Sequence, residues 1–522
     1  MEEHDSDRDS SHQDVRDLAR GGLVNLIGKL GRLSKTAFVF VVKLLFGTEI
    51  LGLYELAWSI VSAFLRIGIF GLDRGVVRFV VQADDDKAKR EEAIAAAIML
   101  GLSVSVVVAA GIALAADHIA EFYKQRGEIV DEAPMLASSI RLMAGSVPFL
   151  TLTFIFTGAT VALRIMRYDV FVNSIASPMI LLAVGCIAGL MGWGMHGLAV
   201  AQLIMGVGTC FLSLYYFRRH FSILGCFRRL RGNLQWPSLA RFSFPVMMTE
   251  FINSVQVRLD VLMLAVFVDL EMIGVYAFAR RMSSAVLKVP LAFDPIFSSI
   301  ITDLSGRSQH QQLGARFASM SRWILIINLP FLAVLQLGGD NLLTLFGQDM
   351  SQGVNSFIAL VWGMMLYGMI PSAEALLIMS GRPYLNLINT TCWLLFNLVF
   401  NYLMIPAYGI LGAAVATSLS MNLVNLIRLA EVFYLYRIQP FTRSHIKPLL
   451  AASVAFSVAW YVDLQVAPTS IWDALLALIC FLPVYIGLLS LFGIESEDRM
   501  LMRRTALRRF VAAAPGDLKS KP

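Results

Sequence analysis

Glu49-Ile50-Leu51-Gly52-Leu53-Tyr54 is answered 222 residues later by Glu271-Met272-Ile273-Gly274-Val275-Tyr276. In the same register Ser62-Ala63 meets Ser284-Ala285, Leu65 meets Leu287, and Arg66 meets Lys288. A second echo, at a separation of 215, sets Gly194-Met195-His196-Gly197-Leu198-Ala199 against Gly409-Ile410-Leu411-Gly412-Ala413-Ala414. Apolar helices share a small residue alphabet, but Glu, Tyr and a mid-helix cation lie outside it, so duplication explains the match better than chance. A repeat of about 200 residues is the pattern of multispanning transporters, which bind substrate between their halves and expose it to each side in turn.

The residues around the repeat say what is duplicated. Of 522 residues 57% are hydrophobic and 15% charged, where soluble domains run near half and a quarter. One or two soluble cores could not hide that surface, whereas a bilayer can, at roughly 20 apolar residues per spanning helix. A large soluble catalytic domain, a nucleic-acid module and a secreted disulfide scaffold are excluded. Apolar runs predict spans at 22–46, 51–80, 93–116, 137–163, 169–190, 194–217, 243–267, 273–300, 323–339, 355–379, 385–406, 411–436, 448–465 and 471–493. The expected fold is an all-α membrane protein of about 14 transmembrane helices, with 12 as the competing count. Two parallel six-helix lobes (helices 1–6 and 7–12) are followed by helices 13 and 14.

Charge orients this plan. With the N-terminus inside, 28 Lys and Arg fall in inside segments and 2, Lys124 and Arg126, outside, which sets both termini in the cytoplasm. The domains are then a polar N-terminus (1–20), an N-lobe (21–217), a basic cytoplasmic linker (218–241), a C-lobe (242–437), helices 13–14 (448–493) and a basic tail (494–522). The net charge of +6 needs no nucleic-acid partner. The five cysteines lack metal-site or CxxC spacing and read as small hydrophobes.

Charges within the spans carry the functional signal, because each costs at least ~2.5–3.5 kcal/mol at a helix centre and by default marks a cavity or pathway. Most cations fall on helices 1, 2, 7 and 8, the first two of each half. Arg32, Arg66, Arg258, Arg280 and Lys288 are the candidates for binding an anionic group, Arg as a planar fork and Lys as a point charge. Arg66 and Lys288 occupy matching positions of the repeat. Arg66 and Asp73 are seven apart, two turns along one helix face, as are Arg281 and Lys288. Glu250 and Asp260 on helix 7 are the ion-coupling candidates, and Arg428 with Glu431 reads as a one-turn structural pair. No HExxH, GxxxxGK[ST] or GxSxG motif is present, so no cofactor, metal site or enzymatic activity is expected.

The duplicated plan, FGTEILGLY (46–54), FGLDRG (70–75), the basic gap before helix 7, and YGILGAA (408–414) resemble the Wzx-type polysaccharide flippases of the multidrug, oligosaccharidyl-lipid and polysaccharide exporter superfamily. The resemblance covers roughly 20–495. It implies translocation of an undecaprenyl-diphosphate-linked oligosaccharide between leaflets of a bacterial inner membrane, for exopolysaccharide, capsule or O-antigen. The implied partners are that lipid-linked anionic glycan, membrane lipids, and a polysaccharide polymerase with its chain-length machinery. Arg32, Arg66 and Arg280 resemble functional arginines of the lipid II flippase branch. That branch's Pro-Asn before the helix-2 arginine and Glu-Gly after it are missing here, where the chain reads Ser62-Ala63-Phe64-Leu65-Arg66-Ile67-Gly68. The alternatives are a cation-coupled multidrug exporter, favoured by acidic cavity walls, a lipid II flippase, and, remotely, a membrane glycan polymerase or ligase, which needs a large outer loop.

Overall fold

The computed structural model describes residues 33–83, 86–126, 131–229, 236–293, 310–370, 373–379, 382–465 and 471–491, together with Phe297 and Ile301. The expected N-terminal segment 1–20, Arg32 and the basic tail from 494 lie outside the described residues. All regular structure among those described is helical.

The first half of the chain forms α1 (Leu33–Phe46), α2 (Thr48–Ile69), α3 (Leu72–Gln82), α4 (Lys87–Arg126), α5 (Ala133–Ala144), α6 (Ser146–Ala162), α7 (Met166–Leu190) and α8 (Gly194–Phe217). A short α9 (Ile223–Arg229) follows. The second half forms α10 (Trp236–Leu264), α11 (Leu270–Ser283), α12 (His310–Leu337), α13 (Gly339–Thr344), α14 (Val354–Gly368), α15 (Ala373–Met379) and α16 (Pro383–Tyr436). α17 (Ile446–Gln465) and α18 (Ile471–Leu491) close the chain. Among the described residues nine helical segments are long and apolar enough to cross a bilayer, and Thr36–Phe46 and Leu478–Leu491 are shorter apolar helices. Such spans must be helical, because hydrocarbon offers no partner for backbone N–H and C=O groups.

Several expected spans are interrupted. Phe70 and Gly71 adopt left-handed φ values of 56° and 66°, ending α2 and starting α3 on a new axis. This break lies between Arg66 and Asp73, so the shared helix face expected from their spacing is lost. Expected helix 8 stops as α11 at Ser283, and turns at 284–287 separate it from helical residues 288–293. In α7 residues Val170–Ala176 are π-helical, just before Pro178, whose missing N–H leaves a carbonyl of the preceding turn without its usual donor.

α16 is a hairpin. Gly409, with φ 54° and ψ −131°, breaks the helix, and its arms fold back on each other. Asn397 Nδ2 donates to Thr417 Oγ1 (3.3 Å) and Ser420 Oγ (3.1 Å), and Asn389 Nδ2 donates to Glu431 Oε2 (2.7 Å). The matching residue of the repeat, Gly194, has φ 55°, so both echoes end a turn and start a helix through a conformation that glycine adopts without strain.

The backbones of α2 and α11 approach closely where the two helices cross. A Cβ on Gly52 would strike the carbonyl of Leu270, and one on Gly274 would strike that of Thr48. The two contacts are the same contact in the register of the repeat, since 48 and 52 correspond to 270 and 274. Small residues let membrane helices pack on dispersion alone, where lipid is as apolar as Leu. Leu51, Leu56, Ile273 and Phe278 fill the core around the crossing. At the same end Lys43 Nζ lies 2.7 Å from Asp349 Oδ2, and Thr48 Oγ1 also donates to Asp349. The carboxylates Glu49, Glu132, Asp269 and Glu271 also lie near one another at this end. The opposite end, rich in arginine and here termed the charge-rich end, carries the loops at 163–165 and 218–222.

Candidate functional site

Three arginines and two carboxylates converge where α2, α10, α11 and the first arm of α16 meet. Asp260, on α10, is almost fully buried: Tyr276 donates its hydroxyl to Oδ2 (2.9 Å) and Asn401 Nδ2 donates to Oδ1 (3.2 Å). Arg280 Nη1 lies 3.6 Å from Asp260 Oδ2 and donates to the Val257 carbonyl at 2.8 Å. Glu55, on α2, sits between Arg258 Nη1 (4.0 Å) and Arg281 Nη2 (3.8 Å). The cations outnumber the carboxylates, and the side chains of Arg258 and Arg281 are 24% and 38% exposed against 10% for Glu55. The cluster is therefore a net-positive centre that is partly open.

A polar ladder extends it. Asn401 Nδ2 also donates to Asn397 Oδ1 (3.1 Å), and Asn397 reaches Thr417 and Ser420 on the other arm of α16. The Asn401 Oδ1 atom is buried without a hydrogen-bond partner. In the first half the corresponding tyrosine, Tyr54, packs edge-on to Phe38 and donates to Gln202 Oε1 at 3.2 Å. Phe38 stands at the position matching Asp260, so the second half alone has a charge there. Arg280 opens onto a mostly apolar cavity of about 520 Å³, lined further by Leu287, Tyr367, Trp393 and Met421.

The sequence candidates divide by level. Arg258, Asp260 and Arg280 are brought together. Arg66, about 16 Å from Glu55 along α2 at 1.5 Å per residue, has its guanidinium 5.9 Å from the Phe154 ring. Lys288 is exposed, beyond the break that ends α11. Glu250 pairs with Arg74 at 2.6 Å, and this bridge, with Arg78 over the Phe242 ring, ties α3 to α10 near the charge-rich end. Arg428 pairs with Glu374 (3.3 Å) and Asn386 (3.1 Å) rather than with Glu431, which accepts from Asn389. Among the described residues no group of three or more His, Cys, Asp or Glu could hold a metal.

Sequence reasoning missed Glu55, Tyr276 and the Asn397–Asn401 pair. Tyr276 was visible in the repeated hexapeptide, and Asn397 and Asn401 stand four apart on one helix face. Glu55 gave no such signal, because its counterpart is Ala277.

The family of polysaccharide biosynthesis proteins matches residues 45–355, from the end of α1 to the start of α14. The chain belongs to this family. A polysaccharide biosynthesis protein of this kind has a curated relative in the probable flippase AglR of Haloferax volcanii, 26% identical over 178 residues, 32% of this chain and 36% of that protein. The match thus spans about a third of that relative's length. Among solved structures the lipid II flippase MurJ in an inward closed conformation superposes with a TM-score of 0.75 at 16% identity, covering 90% of this chain and 98% of that one. An inward-facing MATE-family multidrug resistance transporter of the MOP superfamily gives 0.63 at 13% identity, covering 84% and 96%. The fold is that of this superfamily, as the sequence motifs implied.

Proposed function

We propose that this family member flips a lipid-linked, diphosphate-bearing oligosaccharide from the cytoplasmic to the outer leaflet of an inner membrane, by alternating access between two six-helix lobes. Fourteen spans, with both termini inside and helices 13 and 14 appended, agree with the charge pattern. The observation that carries this reading is the surplus of guanidinium groups at the α2–α10–α11 crossing. A net cation in low dielectric compensates the cost of taking a diphosphate out of water, and Arg258 and Arg281 are exposed enough to release Glu55 for it. Arg66 and Lys288 would meet the anion nearer the charge-rich end, Arg280 would hold Asp260 in place, and Arg32 is a further candidate for the anion. Asp260, with the Asn401 and Asn397 amides, is the candidate for coupling a proton or small cation to the cycle; Glu250 is the second. The glycan polymerase and its chain-length machinery would receive the product.

Reconstitution in vesicles with a fluorescent isoprenyl-diphosphate oligosaccharide tests this. Arg258→Gln and Arg281→Gln should each slow translocation at least tenfold while leaving thermal unfolding close to wild type. Wild-type rates in both folded variants would remove the anion-binding argument.

A further inference from the structure

A second cationic site lies apart from the crossing, where α6, α7 and α8 meet at the charge-rich end. The Tyr168 and Tyr216 rings stack with centroids 4.4 Å apart. Arg167 lies 4.9 Å over the Tyr168 ring and donates to its hydroxyl at 3.1 Å. Arg219 lies 4.6 Å over Tyr215 and donates to its hydroxyl. With Arg164 and Arg218 these make four exposed arginines. Segments 163–171 and 215–221 contain one carboxylate, Asp169, whose Oδ1 accepts from Asn173 Nδ2 at 2.8 Å.

We propose that this rim is a headgroup site for an anionic phospholipid of the charge-rich leaflet, with acyl chains lying along the apolar faces of α7 and α8. Three observations support it. Phe171, Met179 and Ile187 on α7 and Phe211 on α8 are exposed, so hydrocarbon-facing surface runs directly from the rim. Two of the guanidinium groups are held on ring faces, so much of the rotamer entropy that binding would cost is already lost. Each engaged guanidinium has five N–H donors, of which the tyrosine hydroxyl takes one, and a phosphate can accept from the remainder bidentately. Arginines that merely mark the cytoplasmic side need no such fixation.

Titration of the purified full chain in detergent with phosphatidylglycerol, phosphatidylcholine or inorganic phosphate, read by native mass spectrometry and thermal unfolding, tests the site. Phosphatidylglycerol should bind at least tenfold more tightly than phosphatidylcholine and raise the unfolding midpoint. Arg167→Gln/Arg219→Gln should lose at least fivefold of that affinity, while Arg437→Gln/Arg443→Gln, at the same end, keeps it. Equal binding of both lipids, wild-type affinity in the first double variant, or an equal midpoint shift from inorganic phosphate would overturn the proposal. If the double variant does not fold, Arg219→Gln alone is read by the same titration with the same outcomes.

Discussion

Gly52 and Gly274 occupy equivalent positions of an internal repeat and lie against each other's helices, each with its Cα facing a carbonyl that the other's helix presents. The repeat is thus visible as a contact of the sequence with its own copy. A side chain at either position must push α2 and α11 apart. Gly52→Val and Gly274→Val should each destabilise this crossing by about 1–3 kcal/mol. Thermal unfolding should register the loss, together with faster thiol labelling of a cysteine introduced nearby, at Ile50. Unchanged labelling in both variants would mean that the crossing does not seal this end.

Asp349 bridges Lys43 and Thr48 across the same end. The Lys43 and Asp349 side chains are only 10% and 26% exposed, so desolvation offsets much of their attraction and the net worth of the pair is ~1 kcal/mol. Asp349→Asn should open this end by up to about fivefold in population, measured by spin-label distances between α1 and the 348–353 turn. Lys43→Asp/Asp349→Lys should restore most of the closure if the interaction is electrostatic.

Asp260 and Arg280 are mutually dependent. Removing Arg280 strands a buried carboxylate, so Arg280→Ala should cost ~3–5 kcal/mol, and the double variant Asp260→Ala/Arg280→Ala less than the two single losses combined. Additive unfolding energies would show that the pair does not interact.

At the start of α4, Asp86 Oδ1 accepts from the backbone N–H of Ala88 (2.9 Å) and Lys89 (3.2 Å). These bonds hold its carboxyl below the ordinary value. The stabilisation is therefore complete above the unfolded carboxylate range near 4 and is lost as pH falls through the lower folded value. Asp86→Ala should unfold at a lower temperature than wild type at pH 7, and the difference should vanish in strong acid. A difference independent of pH would assign the residue another role.

An all-helical, multi-pass membrane protein was legible because a bilayer imposes long apolar runs that no tertiary contact can replace. Gly409 and Gly194 were legible as matching members of the repeat, but not as sites of a left-handed backbone. The pairing of charges was not. Arg428 could be assigned to Glu431 on helical spacing, yet Glu374 comes from a helix that spacing cannot place beside it. Asp73 was put on the face of Arg66 by counting through Phe70 and Gly71, and two left-handed residues invalidate the count. Glu55 became visible only when α10 and α11 brought two arginines to it.

The hairpin at Gly409 has a mechanical consequence. A turn pivoting on one residue leaves no slack between the arms of α16, and the amide rungs from Asn397 and Asn389 pin them along their length. A displacement felt at Asn401 beside Asp260 therefore reaches Arg428 and Glu431 as the swing of one stiff lever, without loss in a flexible loop.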